Sequence, residues 1–333
     1  MRVQVGTLLL LAASGFFQAA FALPVRFLRN WRWEQMWVAQ SITANVLFPL
    51  AWAAVVPAAF WVQAAHVPSS HWIIAYGWGL LWGLGGVAWG LTMTRLGMAF
   101  ANSFVIGLTA LTGALLPLAM NAVEGPPHPS LFVAGLALCV LATVAMGFLR
   151  RHGIAGPLLA MPLTLSSYPV ILGIAIFAGF SSAAYGLAFT FSFGVIRGLV
   201  ESGVSQASAS LVVVLPVYLG AASVAIPLGV LVAARSGSLP LFAGTYALRN
   251  WSLALVMGLC ATATAVIYGF AGNRAGHPSP NISFGVFVSF LILSGNVLGL
   301  ATGELRECSR GVGAGLLLSA CGLVAGACLL NVR

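Results

Sequence analysis

The chain has 333 residues, of which 60% are hydrophobic and only 6% are charged. A soluble domain carries roughly 25% charged residues because its surface faces water, so this composition excludes an ordinary soluble protein and predicts a surface that faces lipid. The net charge of +9 comes from 14 arginines and 5 glutamates, and because the arginines are scattered singly between apolar runs they form no patch that would bind nucleic acid.

Apolar runs of about 20 residues, the length at which a helix crosses a bilayer, follow one another along the chain. The first run ends at Pro24 without the small-residue cleavage pattern of a signal peptide, so we expect it to remain as a helix. Together the runs predict an all-α membrane protein with about ten transmembrane helices, over residues 3–23, 34–58, 72–93, 98–121, 130–149, 168–193, 209–233, 248–271, 281–303 and 311–331.

The arginines are distributed unequally between the two sides of this predicted bundle. Ten lie in loops on the side of the first loop, and four lie on the other side or in the termini there. Because cytoplasmic loops carry the excess of positive charge, we expect the first loop to be cytoplasmic and both termini to face the opposite side.

An internal repeat divides the predicted helices into two sets. Residues 111–119 and 293–301 are identical at five of nine positions, at a constant offset of 182. The two segments lie five helices apart, which predicts an N-terminal half over residues 1–152 and a C-terminal half over 153–333. An odd number of helices in each half inverts the second half, and such transporters bind their substrate between the halves near the middle of the membrane.

Motifs for catalysis or for a bound cofactor are missing from the sequence. It has no lysine for a phosphate-binding loop, no His-Glu-x-x-His pattern and no aspartate for a catalytic triad, and its five histidines fall singly in predicted loops. We therefore expect neither an enzyme nor a cofactor, and we expect small solutes and membrane lipids as partners.

Glu34 is the acidic residue that best suits proton coupling. It follows Trp33 at the start of the second predicted helix, where a negative charge also interacts favourably with the helix dipole. One interpretation is a structural glutamate at the membrane interface that pairs with Arg29 or Arg32. The other is a carboxylate that takes up and releases a proton as the solute moves.

The third predicted helix combines glycines with tryptophans. Its glycines recur on one face, at Gly79, Gly83, Gly86 and Gly90. Such a face lets a neighbouring helix approach closely. Trp82 and Trp89 lie deep in the same helix, where an indole can stack on the apolar face of a sugar, although lipid-facing positions are an alternative.

Further polar side chains interrupt the other apolar runs. Each can form hydrogen bonds either with a hydroxylated solute or with a neighbouring helix. They are Gln18, Asn45, Asn102, Tyr185, Tyr268 and Asn296.

The chain resembles the bacterial L-rhamnose–proton symporter family most clearly over roughly residues 20–120. The similar elements are Trp31-Arg-Trp-Glu-Gln-Met-Trp37 with its preceding basic loop, Trp82-Gly-Leu-Gly85, Gly90-Leu-Thr-Met93, Leu215-Pro-Val-Tyr218 and Ile282-Ser-Phe284. The resemblance implies a fold of the drug/metabolite transporter type, with two inverted five-helix halves, in the bacterial inner membrane. It also implies proton-coupled symport of a sugar. In the inner membrane, the arginine bias described above would place both termini in the periplasm.

The resemblance assigns roles to several of these residues. It implies that Glu34 carries the proton. Trp82 matches an aromatic position of the family, and Trp89 stands where the family has tyrosine. With four of the six polar residues above, the candidate substrate-binding set is Gln18, Trp37, Asn45, Trp82, Trp89, Tyr185 and Tyr268.

Departures from the family pattern concern polar contacts. Gly86 and Ala88 stand where the family has asparagines, Thr264 stands where it has glutamine, and Arg95 is displaced by one position. Because a buried hydrogen-bonding group discriminates strongly between solutes, these differences bear on which sugar is carried. An uncoupled facilitator or exporter, and a scaffold subunit that transports nothing, are the alternative functions.

Overall fold

The structure is a computed structural model of the chain that describes residues 5–97, 100–120, 128–151, 168–274, 280–303 and 309–330. Helices make up almost all of these residues, and no strand occurs among them. The long helices are α1 (Val5–Ala20), α2 (Trp33–Val55), α3 (Ser69–Leu96), α4 (a first turn over Ala101–Val105 and then Ile106–Ala119), α5 (Pro129–Arg151), α6 (Tyr168–Glu201), α7 (Leu211–Arg235), α8 (Ala247–Arg274), α9 (Pro280–Ala301) and α10 (Arg310–Leu330).

Most of these helices can cross a membrane. Eight of them are long and apolar enough to do so, and shorter apolar stretches over Ala101–Gly113 and Phe287–Ala301 lie in the other two, α4 and α9. The prediction of an all-helical, multi-pass membrane protein is therefore confirmed, while the number of ten crossings and the inverted halves stay predictions.

The observed helices differ from the predicted runs mainly at two ends. The second run was expected to continue to residue 58, but α2 ends at Val55 and a new short helix, Ala58–Ala64, begins after Pro57. The sixth run was expected to end at 193, but α6 continues to Glu201. Its last turns leave the apolar region, and Arg197 and Glu201 form an exposed ion pair there, with the guanidinium nitrogen 2.7 Å from the carboxylate.

Two helices contain a wider, π-helical turn. In α2 this turn spans Thr43–Leu47, and in α4 it spans Ala101–Val105. In α2 the turn precedes Pro49, which has no N–H to donate to the preceding turn of the helix. The Thr43 hydroxyl donates to the Ala254 carbonyl of α8 at 2.8 Å, which ties the turn to its neighbour. Such turns inside α-helices often occur at functional sites.

Small residues bring α3 and α7 unusually close together. A Cβ atom added at Gly79 would overlap the carbonyl oxygen of Val217, and one added at Gly83 would lie 2.7 Å from Cα of Ala221. The predicted glycine face of α3 is thus a helix contact, as expected for closely packed membrane helices. Elsewhere α3 packs on α6, α1 packs on α8 and α9, and α5 packs on α10.

The arginine-rich loops pack on one another at one end of the bundle. Arg249 donates to the carbonyl of Phe27 at 2.9 Å. Asn250 donates to the carbonyl of Arg29 at 2.7 Å and accepts from its N–H at 3.1 Å. We call these three hydrogen bonds the interloop contact. They join the loop after α1 to the start of α8.

Candidate functional site

A cavity occupies the centre of the bundle. Its empty volume, counted out to its mouth, is about 1080 Å³. Residues of α1 to α4 and of α6 to α9 form its wall, whereas α5 and α10 contribute no described residue to it. Among the described residues of the wall none is an arginine, a glutamate or a histidine, so the cavity suits an uncharged solute.

Most of the predicted substrate-binding residues meet at this cavity. The wall contains Gln18, Trp37, Asn45, Trp82, Trp89 and Tyr185. Tyr268 is not part of the described wall. It lies beside Phe287, with ring centroids 5.4 Å apart, and Phe287 faces the cavity.

Aromatic rings form one part of the wall. Trp82 lies 5.1 Å from Tyr185 and 5.1 Å from Tyr218, measured between ring centroids. Tyr218 was identified only through the resemblance, in a helix whose other residues are mostly apolar. The lipid-facing alternative does not match the position of Trp82 in the cavity wall. Faces of this kind cover the apolar C–H face of a sugar.

A second aromatic group surrounds Trp37. Its ring centroid lies 6.3 Å from that of Trp89, which in turn lies 5.8 Å from Phe21. A Cβ atom at Gly90 would overlap the ring of Trp37, whereas one at Gly86 would lie 3.5 Å from it. The glycine face of α3 therefore packs against the backbone of α7 at Gly79 and Gly83 and against the Trp37 ring at Gly90.

Glu34 is not part of the described cavity wall. Its side chain is fully buried in the first turn of α2. One carboxylate oxygen accepts hydrogen bonds from the hydroxyls of Ser236 at 2.9 Å and Ser238 at 2.6 Å. Arg32 is 4.0 Å from the same oxygen. The other oxygen has no hydrogen-bond donor among the described residues.

The two serines belong to the turn that ends α7. Gly237 between them has φ of +65°, a conformation that glycine adopts easily. The N–H of Ser238 bonds the carbonyl of Ala233 at 2.9 Å, as in the common glycine-centred termination of a helix. Gln35 donates to the Ser238 hydroxyl at 2.7 Å and to its carbonyl at 2.9 Å, which fixes this hydroxyl opposite Glu34.

Both interpretations of Glu34 retain support in this arrangement. Arg32 is near enough for a weak ion pair, as the structural interpretation requires. The carboxylate is nevertheless withdrawn from water and contacts a different part of the chain, some 200 residues away. Trp37, one helical turn further along α2, is the first residue of this helix in the described cavity wall.

Several wall residues were missed or left uncommitted by the sequence analysis. Gln40 and Asn102 line the cavity. Gln40 follows Trp37 by three positions, so helical spacing alone could have placed both on one face. Thr264 also lines the cavity, but its hydroxyl bonds the carbonyl of Cys260 in its own helix at 2.9 Å. Its carbonyl accepts from Ser14 at 3.0 Å, which joins α8 to α1.

Some sequence predictions fall outside the described residues. They include the boundary between the two halves at residues 152 and 153.

Comparison with known proteins identifies a family. The model of the family described as L-rhamnose-proton symport protein (RhaT) matches residues 3–332. The L-rhamnose-proton symporter of Escherichia coli O1:K1 is 23% identical in an alignment over 308 residues that covers 88% of this chain and 87% of that protein. The symporter of the same name from Shigella boydii serotype 18 is 24% identical over 305 residues, with the same shares of each chain.

Proposed function

Because the chain belongs to the L-rhamnose-proton symport protein family, whose members are transporters rather than enzymes, we propose that it carries L-rhamnose or a related neutral sugar together with a proton. The observation that carries the proposal is the pairing of an uncharged central cavity with a buried carboxylate one helical turn from the wall residue Trp37.

The chemistry of the cavity favours a hydroxylated, uncharged solute. The amides of Gln18, Gln40 and Asn45 can both donate and accept hydrogen bonds, and the Trp82 ring offers a flat apolar face. A charged solute would lack a counter-charge among the described wall residues, and burying an unpaired charge is costly. The cavity therefore suits a sugar better than an amino acid or a phosphate ester.

Glu34 is the proposed proton carrier. A charged carboxylate accepts hydrogen bonds about twice as strong as those to a neutral group. Protonation would therefore weaken the bonds from Ser236 and Ser238, which attach the start of α2 to the turn after α7. A proton taken up here would loosen one end of the bundle, and the sugar in the adjacent cavity could then leave or enter at that end.

We infer that the helices form two inverted halves of the drug/metabolite transporter type, residues 1–152 and 153–333. The packing supports this arrangement. When five is added to each helix number, counting on from α10 to α1, each of the following helix contacts becomes another contact that the structure contains. The pair α3–α6 becomes α8–α1, α4–α6 becomes α9–α1, and α3–α7 becomes α8–α2, while α5–α10 maps onto itself. All of these pairs are in contact in the structure.

The proposed location is the bacterial inner membrane, with both termini in the periplasm. The excess of arginine on the side of the first loop supports this orientation. A reporter fused to the C-terminus that is active only in the periplasm tests it, and activity of a cytoplasm-specific reporter at the same point would contradict it.

The proposed transport is tested with the purified full chain in proteoliposomes. An imposed inward proton gradient should drive accumulation of radiolabelled L-rhamnose, and Glu34→Gln should abolish accumulation. Glu201→Gln is the matched control, because Glu201 forms an exposed ion pair far from the cavity wall; this variant should transport normally. Uptake that ignores the gradient would identify a facilitator, and absence of any sugar movement would identify a non-transporting protein.

A further inference from the structure

Asn102 has a buried amide nitrogen that is not used by the protein. The residue is 1% exposed and lines the central cavity. Its Nδ2 atom finds no acceptor among the described residues. Leaving a buried donor without a partner is unfavourable, so such a group in a cavity wall is a candidate donor to a bound solute.

The neighbouring asparagine provides a contrast within the same helix contact. Asn296 of α9 is also buried, but its Nδ2 donates to Ser103 at 2.6 Å and to the carbonyl of Ile292 at 2.8 Å. Asn296 does not belong to the described cavity wall. Of these two buried asparagines, one is satisfied within the protein, and the other belongs to the cavity wall and is not.

The local structure holds Asn102 in a fixed position. The residue lies in the π-helical turn Ala101–Val105 at the start of α4. Gly295 of α9 packs against it, and a Cβ atom at Gly295 would lie 2.8 Å from Cβ and 2.9 Å from Nδ2 of Asn102. The absent side chain at Gly295 therefore makes the room in which the Asn102 amide sits.

Two other donors on the same cavity have no acceptor either. The indole N–H groups of Trp37 and Trp89 are buried, and neither finds an acceptor among the described residues. A partner that brings several oxygen atoms would satisfy all three donors. A polyhydroxylated solute provides such atoms, because each of its hydroxyl groups can accept as well as donate.

We propose that Asn102 is a substrate-binding and specificity-determining residue, whose amide donates to one oxygen of the sugar while Trp37 and Trp89 donate to others. This inference rests on the proposed function, since it identifies contacts of the same cavity. It assigns Gly295 a positioning role, because Gly295 contacts Asn102.

The test measures equilibrium binding to the purified full chain in detergent, with no proton gradient. The ligands are L-rhamnose, its monodeoxy analogues and a panel of other neutral pentoses and hexoses. Asn102→Leu, which is close to isosteric, should weaken binding of L-rhamnose about tenfold. For the one deoxy analogue that lacks the bonded hydroxyl, wild type and variant should bind equally.

Asn296→Leu is the matched control. It should lower the melting temperature of the empty protein, because it removes two hydrogen bonds, and it should leave sugar affinity unchanged. Asn102→Leu should show the opposite pattern, with unchanged or raised melting temperature and reduced affinity. Gly295→Ala, which displaces the amide without removing it, should also reduce affinity and provides the measurement if Asn102→Leu does not fold.

The outcomes separate this inference from the proposed function. Wild-type affinity in both Asn102→Leu and Gly295→Ala overturns the role of Asn102 and leaves proton-coupled transport standing. Sugar binding that depends on Asn102, without accumulation driven by a proton gradient, supports this inference and refutes the coupling. No binding of any neutral sugar by wild type overturns both.

Discussion

Two glycines in α3, Gly77 and Gly79, should respond in opposite ways to the same substitution. A Cβ atom at Gly77 meets no described atom within 4 Å, whereas one at Gly79 would overlap the carbonyl oxygen of Val217. Replacing glycine by alanine inside a helix stabilises it by about 1 kcal/mol. Gly77→Ala should therefore raise the stability of the protein by up to this amount.

Gly79→Ala should stabilise the helix by the same amount, but it must also push the backbones of α3 and α7 apart. The atoms in its way belong to the main chain of α7, which cannot rotate aside as a side chain could, and Cα of Val217 would be only 2.8 Å from the new Cβ. Overpacking typically costs about 1–3 kcal/mol. Because the helical gain is common to both variants, the difference between their stabilities measures this overlap directly, and we expect a value near the upper end of that range.

The assay is thermal unfolding of the purified variants in the same detergent, followed by tryptophan fluorescence. Gly77→Ala should melt at or above the wild-type temperature, and Gly79→Ala should melt clearly below it. Equal melting temperatures for the two variants would refute the close approach of α3 and α7 at this point.

The remaining predictions concern the two ends of the site. Ser238→Ala should lower proton-driven uptake by about tenfold, because a hydrogen bond to a charged group contributes about 1.5–3 kcal/mol. Ser236→Ala should lower uptake less, because its hydroxyl lies 2.9 Å from the Glu34 carboxylate, against 2.6 Å for Ser238. Equal initial rates of uptake in the two variants would contradict this order. Gly90→Ala should displace the Trp37 ring and weaken sugar binding, whereas Gly86→Ala, with 3.5 Å of space, should bind normally. Equal dissociation constants for these two glycine variants would show that the ring can move without cost.

The helices could be predicted because the bilayer dictates their length. A span of about 20 apolar residues is required wherever the chain crosses, so the third predicted run, 72–93, lies within α3 and misses only its ends. Several cavity residues could also be predicted, since polar and aromatic groups such as Gln18 and Trp82 stand out in apolar runs. It was harder to predict which face of a helix meets the cavity. Tyr268, for example, lies beside Phe287 and not in the described wall.

The surroundings of Glu34 could not be predicted from the sequence. Ser236 and Ser238 lie in a short turn with no periodicity, and serines near a glycine are common in any loop. Their role depends on a contact between segments some 200 residues apart, which only the assembled bundle provides. The π-helical turn at Asn102 could not be predicted either, since no proline lies directly after it in the sequence.

The interloop contact gives an estimate of the free energy needed to separate the loop after α1 from the start of α8. Each of its three hydrogen bonds contributes about 0.5–1.5 kcal/mol net, so parting Phe27 and Arg29 from Arg249 and Asn250 requires roughly 1.5–4.5 kcal/mol. One elementary charge moving through 100 mV releases about 2.3 kcal/mol. The two energies are of the same order, so Arg249 and Asn250 are suitable positions for substitutions that test whether this contact breaks during transport.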